Sequence, residues 1–465
     1  MGLSSALNIA RSGLTVAAQQ TDLISRNIAN SKTEGVSRKW AELETTATGG
    51  VQVTSVERSV DSLLQRLDRT NGSKIAHNAT VSDGLKAYTD FLGQPRDETS
   101  PAAMMAEFHD AIVSLSAMPG EEASQIQAVT KAKKLAEGLN SLSGTLSDIG
   151  QEVERNIRYD VASANEALEN IAILNQKILR SDAGSSAQAE YRDKLDQLLN
   201  DVSGYMDIQT VTSDDGAVNV YTGSGTELVV GRKSAAITYD PIAGTLSAGN
   251  VDITPGSNGR GISQGSLGGL FGLKTGHLPK LSEQLDALAG ALITGMETAN
   301  PFGTGGTGLF TDAGAAFDAT AISGLAGRIT VNAEADSTVG GDPSLLQSGG
   351  IATTPSGDAS FVTAMLDAFG QTITVDPAGL GDTLTLSDMA PALVSQQQSL
   401  RANAEASTLT AKSAGETISA SRANFEGVNI DDEMQKLLVV EQSYRANARV
   451  MTSISEMMDT LLQAF

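Results

Sequence analysis

Apolar residues at the two ends of this chain of 465 residues recur at alternating intervals of four and three. Near the start they are Leu3, Leu7, Ala10, Leu14, Ala17, Ile24 and Ile28, with Thr21 as a polar break. This alternation is a heptad seam, and it predicts a helix over residues 3–28 that carries one narrow apolar stripe. Gly13 lies inside it and costs roughly 1 kcal/mol against alanine. The far end repeats the alternation with Ile430, Met434, Leu437, Tyr444, Ala448, Met451, Met458, Leu462 and Phe465, and Glu441 and Ser455 fill the remaining seam positions. Asn429 is a natural N-cap, and Asp431, Asp432 and Glu433 place negative charge where the helix dipole favours it. No glycine or proline interrupts residues 428–465. The predicted helix is roughly 50 Å long. Stripes this narrow suit helix pairing better than docking on a broad core. Chain ends fray unless tied down, and an isolated helix is marginal in water. Leu3, Leu7, Leu14, Ile24, Ile28, Ile430, Met434, Leu437, Tyr444, Met451, Met458, Leu462 and Phe465 are therefore candidate subunit-interface residues.

Between the ends the period changes twice. Ser100 as cap, Pro101 at the first turn and the stripe Met105, Phe108, Ile112 and Leu115 predict a helix over 100–118, stopped by Pro119-Gly120. One or two long helices are predicted over 121–181, with Leu139, Leu142, Leu146, Ile149 and Val153, then Ile171, Leu174 and Ile178, on the apolar face. A shorter helix covers about 188–203. Residues 207–253 switch to period two, in short runs such as Val218–Tyr221 and Glu227–Val230 separated by Gly- and Asp-rich turns. Helical spacing returns at Leu281, Leu285, Leu288, Leu292 and Met296. Residues 300–357 are rich in Gly, Thr, Ser and Ala and poorly patterned; a short helix is predicted over 359–369, and Pro391 opens a last polar helix that runs to about 425.

The pattern predicts a multidomain α+β protein with a nested layout. An inner terminal-helix domain, coiled-coil in character, comprises 1–60 and 426–465. A long-helix bundle comprises 61–205, 270–300 and 390–425. A β-rich domain is inserted at 206–269, and 301–389 forms an accessory α/β segment. Composition narrows the function. The net charge of −23 repels phosphate backbones and anionic lipid, which argues against nucleic-acid or membrane-surface partners. With no cysteine, disulfides and thiolate chemistry are ruled out. No apolar run approaches the roughly 18 residues of a membrane span, and the start lacks the basic and apolar regions of a cleaved signal peptide.

Catalytic and cofactor motifs fail on context. Gly303–Gly308 fits a dinucleotide-binding spacing but lacks a preceding strand, so a flexible loop is expected. Gly261-Ile262-Ser263-Gln264-Gly265 fits a nucleophile elbow, yet the one downstream histidine is His277. His77, His109 and His277 are not spaced as metal ligands. No catalytic residue, cofactor or metal is expected.

Asn27-Ile28-Ala29-Asn30-Ser31-Lys32-Thr33-Glu34-Gly35-Val36-Ser37-Arg38 resembles the signature of the flagellar rod, hook and hook-associated axial proteins, with Glu34 and Val36 where Pro and Tyr are usual. Asn27, Ile28, Ala29, Asn30, Thr33, Gly35, Ser37 and Arg38 carry the motif, and the Ser37-Arg38 pair is similar to the hook-associated branch. Gly427–Met434, Gln442–Val450, Tyr191–Leu199 and Gln284–Ala289 are similar to the same family. The resemblance implies a structural protein at the hook–filament junction, built by subunit packing of the terminal helices. A hook or rod protein is the nearest alternative, and a secreted enzyme with a β-rich insert a remote one. It also implies export through the flagellar apparatus to the cell exterior. The implied partners are copies of the chain in a ring, the flagellar hook protein, hook-associated protein 3, and an export chaperone at the C-terminal helix.

Overall fold

The computed structural model describes residues 2–33, 35–47, 49–257, 259–302, 306–373, 379–380 and 383–463. Along the chain, α1 (Leu3–Ala29) leads into the strands β1 (Lys39–Thr45) and β2 (Val51–Arg58). Then come α2 (Ser62–Leu92), α3 (Pro101–Ala117), α4 (Glu122–Arg180) and α5 (Ser186–Tyr205). Seven short strands follow: β3 (Ile208–Thr212), β4 (Val218–Thr222), β5 (Glu227–Val230), β6 (Lys233–Ser234), β7 (Ile237–Asp240), β8 (Thr245–Ala248) and β9 (Val251–Asp252). The rest is α6 (Gly265–Gly272), a π-helical turn, α7 (Leu278–Ala299), β10 (Phe310–Asp312), β11 (Ile329–Val331), α8 (Leu345–Ser348), α9 (Ser360–Gly370), β12 (Thr372–Ile373), β13 (Leu384–Thr385), α10 (Leu386–Glu426) and α11 (Ile430–Gln463). The fold is mixed α+β: long helices with several small antiparallel sheets.

Two compact units divide the chain. The first takes Met1–His77, Tyr159–Gly268 and Thr410–Phe465; the second takes Asn78–Arg158 and Gly269–Leu409. In the first, β3-β4-β5-β6 and β7-β8-β9 form two antiparallel sheets. Asparagines on α4 tie both sheets down. Asn165 donates to the Ile237 carbonyl at 2.8 Å and accepts from its N–H at 2.7 Å; Asn175 donates to the Val218 and Gly231 carbonyls at 2.8 and 2.7 Å. A side-chain amide here supplies the donor and acceptor that a neighbouring strand would.

In the second unit the predicted stripes form the core. Met105, Phe108, Ile112 and Leu115 of α3 are buried, as are Leu281, Leu285, Leu288, Leu292 and Met296 of α7. Phe108 meets Phe310 edge-on at 5.5 Å and Phe369 at 5.6 Å, an arrangement that adds to simple area burial. Ser100 caps α3 by accepting from the Ala103 N–H at 3.2 Å.

One boundary differs from the pattern reading, that of the last polar helix. Over 121–181, where one or two helices are expected, there is one: α4 (Glu122–Arg180) runs uninterrupted for 59 residues despite Gly138, Gly144 and Gly150. Burial of a long apolar face outweighs three glycine penalties of roughly 1 kcal/mol each. The last polar helix starts at Leu386, so Pro391 lies inside it. Thr385 caps that start, accepting from the Asp388 N–H at 3.2 Å, and Leu386, Met389, Ala390, Leu393 and Val394 are buried. The β1–β2 hairpin and α2 are elements the pattern reading leaves unassigned.

The chance motifs are used otherwise. Residues 303–305 lie outside the described residues. What is described there runs from helix α7 to strand β10, the reverse of the strand-then-helix order a dinucleotide site needs. The Ser263 and Gln264 N–H groups donate to Asp207 at 2.7 and 3.0 Å, which makes the turn a capped entry to α6. Among the described residues, no group of three or more His, Cys, Asp or Glu is placed to hold a metal, and no helix is long and apolar enough to cross a membrane.

Candidate assembly site at the paired terminal helices

The two terminal helices pair with each other inside the first unit. Ala17 and Ile24 of α1 and Val440 of α11 form a small buried cluster, with Ile28 and Leu437 half-buried against it. The pair is antiparallel: Asn27 bonds Glu433, and Gly13 lies against Asn447. A Cβ at Gly13 would lie 2.7 Å from the Asn447 amide nitrogen, so a larger residue there has to displace the Asn447 side chain.

Asn27 is the hinge pin of the site. It is only 4% exposed. Its amide donates to the Lys39 carbonyl at 2.8 Å and to the Glu433 carboxylate at 2.9 Å, and its oxygen accepts from the Lys39 N–H at 3.1 Å. One side chain therefore joins α1, the first strand of the hairpin and the first turn of α11. Glu433 is 2% exposed and is also paired with Lys436 at 2.6 Å. A carboxylate that deep needs both partners.

The rest of the motif builds the connection from α1 to the hairpin. Asn30 closes α1 by donating to the Arg26 carbonyl at 2.9 Å. Ala29 and Thr33 are exposed. Gly35 has φ +74, a left-handed conformation, and a Cβ there would come within 2.5 Å of Gln197. Ser37 is buried and donates to Asp193 at 2.7 Å. Arg58 of β2 also bonds Asp193 at 2.8 Å and pairs with Asp196, and Lys39 pairs with Asp193. Arg38 donates its N–H to the Glu426 carbonyl at 2.9 Å, and its guanidinium stands 6.0 Å above the Trp40 ring. On the open face of α1, Arg26 is held above the ordinary guanidinium value by its hydrogen bond to Asp22, with Glu190 also facing it.

The candidate interface residues divide into three groups. Ile24 is buried within the chain's own helix pair; Leu3, Leu7, Leu14, Ile28 and Leu437 are half-buried. Ile430, Met434, Tyr444, Met451, Met458 and Leu462 remain exposed, Met434 at 45% and Leu462 at 75%. Phe465 lies outside the described residues. The line that α11 turns toward α1 runs through Glu433, Val440 and Ile454, all buried, with Asn447 half-buried. That line is the same heptad displaced by one residue from the pattern reading of Met434, Glu441, Ala448 and Ser455. Glu433 escaped that reading because an acid in a first turn looks like dipole compensation. Asp193, Arg58 and Lys39 escaped it because ion pairing across 135 or more positions leaves no local signal.

Beside α1, a groove of about 520 Å³ opens between α1, β1 and α11. Leu23, Ile24, Trp40, Val439 and Val440 give it an apolar floor, with Lys39, Asp432 and Lys436 at its margin.

Residues 87–317 match the family described as flagellar hook-associated protein FlgK helical domain, and residues 422–464, which take in α11, match flagellar basal body rod FlgEFG protein C-terminal. Flagellar hook-associated protein 1 of Salmonella typhimurium is 26% identical over 309 residues, covering 62% of this chain. The protein of that name from Escherichia coli is 26% identical over 341 residues, and the one from Bacillus subtilis 23% over 510, covering 98% of this chain. The chain is thus similar to flagellar hook-associated proteins over most of its length. It spans about half the length of the Salmonella relative, 55%, and 60% of the E. coli one, but 97% of the Bacillus one. A solved structure titled as the flagellar hook junction protein FlgK from Burkholderia pseudomallei is 22% identical, with a TM-score of 0.44, and covers 53% of this chain and 46% of its own. The two matched regions run from the end of α2 to just past β10, taking in the β3–β9 sheets, and from the end of α10 through α11.

Proposed function

We propose that this chain is a structural, non-enzymatic subunit of the flagellar axis that joins hook to filament through its terminal helices. It leaves the cell by the flagellar export route and works outside it. Its partners are neighbouring copies of itself, hook protein on one side and hook-associated protein 3 on the other. An export chaperone engages α11 before secretion. The similarity to flagellar hook-associated proteins supports this reading, and one observation carries it. After α11 has paired with α1, two rows of large apolar residues on α11 still face solvent. Ile430, Met434 and Leu438 form one row; Val439, Val450, Met457 and Leu461 form the other, with Leu438 57% and Val439 62% exposed.

Scattered exposed apolar residues are ordinary, but several aligned along one helix mark a contact surface. Gly13 faces Asn447 and Asn27 faces Glu433, so Leu3 falls near Met457. The last turn of α11 then extends beyond the first residue of α1. Covering one half-exposed Leu or Met gains on the order of 1 kcal/mol. Single copies therefore stay apart, while a ring that repeats both rows holds together. This makes α1 the internal partner of α11 and a neighbouring copy the external one.

The double variant Leu438→Asp/Val439→Asp tests this in motile cells. Both positions are exposed, so the purified variant keeps its circular dichroism and melting temperature. Cells carrying it make complete hooks and release the variant into the medium, but bear no filaments. Filaments of normal number and length would overturn the proposal. Fluorescent labelling separates the junction from the hook or rod alternative: a single spot at the distal end of the hook is expected, and label along the whole hook would point to hook protein.

A further inference from the structure

We propose that a buried chain of amides in the second unit is a register lock that fixes α10 lengthwise against α2 and α7. Tyr88, Gln284 and Gln397 come from α2, α7 and α10 and each is 0% exposed. The Tyr88 hydroxyl donates to Gln397 at 3.0 Å. The Gln397 amide donates to Gln284 at 2.9 Å, and the Gln284 amide donates to Gln396 at 3.0 Å. The chain of donors ends on the Gly379 carbonyl, which accepts from Gln396 at 2.8 Å. Gln398, the next residue, donates to the Thr89 and Gly93 carbonyls at 3.2 and 2.8 Å at the end of α2. Three consecutive glutamines thus bind in three directions, which only one placement of α10 allows.

The apolar part of α10 does not discriminate in this way. Leu386, Met389, Ala390, Leu393 and Val394 recur at threes and fours, so a slide by one turn or one heptad sets similar residues against the same neighbours. The amides make those slides costly. A slide of four residues puts Leu393 or Arg401 at the Gln397 position; a slide of seven puts Ala390 or Ala404 there. In each case the Tyr88 hydroxyl and the Gln284 amide lose a partner while buried, and Arg401 would bring in an unpaired charge. Buried polar residues that specify register at some cost in stability are established in helical bundles. Here the polar element is a relay through three helices.

The lack of cysteine allows register to be read by disulfide trapping. Asn78 of α2 donates to the Ser407 carbonyl at 3.4 Å. The pair Asn78→Cys/Ser407→Cys therefore reports the native register, and Asn78→Cys/Asn403→Cys reports α10 displaced by one turn. In the otherwise unaltered chain, the first pair oxidises and the second stays at background. In the triple variant Tyr88→Phe/Gln284→Leu/Gln397→Leu, the expected melting temperature is equal or higher, because apolar groups of similar size fill the same space. Trapping of the displaced pair rises at least about tenfold, since two buried polar groups no longer penalise the slide. Background trapping of that pair in the folded triple variant would overturn the proposal. Should the triple variant fail to melt cooperatively, Tyr88→Phe alone decides by the same readout. It removes one end of the relay: trapping above background supports the lock, and background trapping overturns it.

Discussion

At the scale of single residues, the assembly site depends on a few buried polar groups rather than on its apolar stripe. Asn27 satisfies two backbone groups of Lys39 and the Glu433 carboxylate at once. Asn27→Ala should cost about 2–4 kcal/mol in chemical denaturation, because a buried carboxylate and two backbone groups lose their partner. Asn27→Asp should cost more at neutral pH than Asn27→Ala, since it sets a second carboxylate against Glu433, and the excess should shrink in acid. Gly35→Ala should cost about 1–2 kcal/mol for the left-handed backbone alone. Another residue contributes to acid stability in the second unit. Asp336 accepts from the Thr338 hydroxyl at 2.7 Å and from Lys133 at 2.9 Å, which holds its carboxyl down at about 2 against an ordinary 3.8. A depressed carboxyl stabilises the folded state above its unfolded value and stops doing so as pH falls through the folded one. The contribution is therefore complete above about pH 4 and lost toward about pH 2. Denaturation of Asp336→Asn at pH 5 and at pH 2.5 should show a smaller loss between the two than the unaltered chain does.

At the scale of elements, Gly13 of α1 packs directly against the Asn447 side chain of α11. Gly13→Leu should lengthen the helix propensity of α1 yet push it off α11, at a cost of about 1–3 kcal/mol from overpacking. Proteolysis within residues 3–29 should quicken while total helicity changes little; unchanged cleavage would mean the pair tolerates a side chain there. The same elements show what a sequence reading reaches. α1, α3, α7 and α9 follow from their stripes because each buries a mainly apolar face, whereas α11 is found as a helix although most of its stripe stays exposed and it buries Glu433, Val440 and Ile454 instead. α2 does not follow from a stripe, because its buried face mixes Gln65, Ser73, Ser82 and Thr89 with Val81, Leu85, Tyr88 and Leu92. A half-polar face has no hydrophobic period, yet it is well satisfied once its partners are present. The β1–β2 hairpin escaped for a related reason: it exposes Trp40 and Leu43, with a register shift between Glu42 and Leu43 that breaks the alternation.

At the scale of the whole molecule, the charge of −23 opposes the assembly that the α11 rows favour. Copies brought together at low salt repel one another over a Debye length of about 30 Å at 0.01 M, which shrinks to about 8 Å at 0.15 M. Self-association of the purified chain, followed by light scattering, should therefore begin at lower protein concentration as salt rises. Leu438→Asp/Val439→Asp should remove that response. Association that weakens with salt would indicate ion pairs, not apolar rows, as the driving contacts.

Local pattern alone determined that both ends are helices with heptad stripes, that a β-rich region sits between helical ones, and that no cysteine or basic patch directs the chain toward other chemistry. These follow from period and composition, which are properties of neighbouring residues. Only the tertiary structure decided which line of α11 meets α1. Neighbouring positions on a helix point about 100° apart, and on α11 both candidate lines carry apolar side chains. The choice fell to the bond between Asn27 and Glu433, and the placement of α10 fell to its glutamines. Such contacts join residues hundreds of positions apart, where a polar group becomes legible only once its partner has been brought beside it.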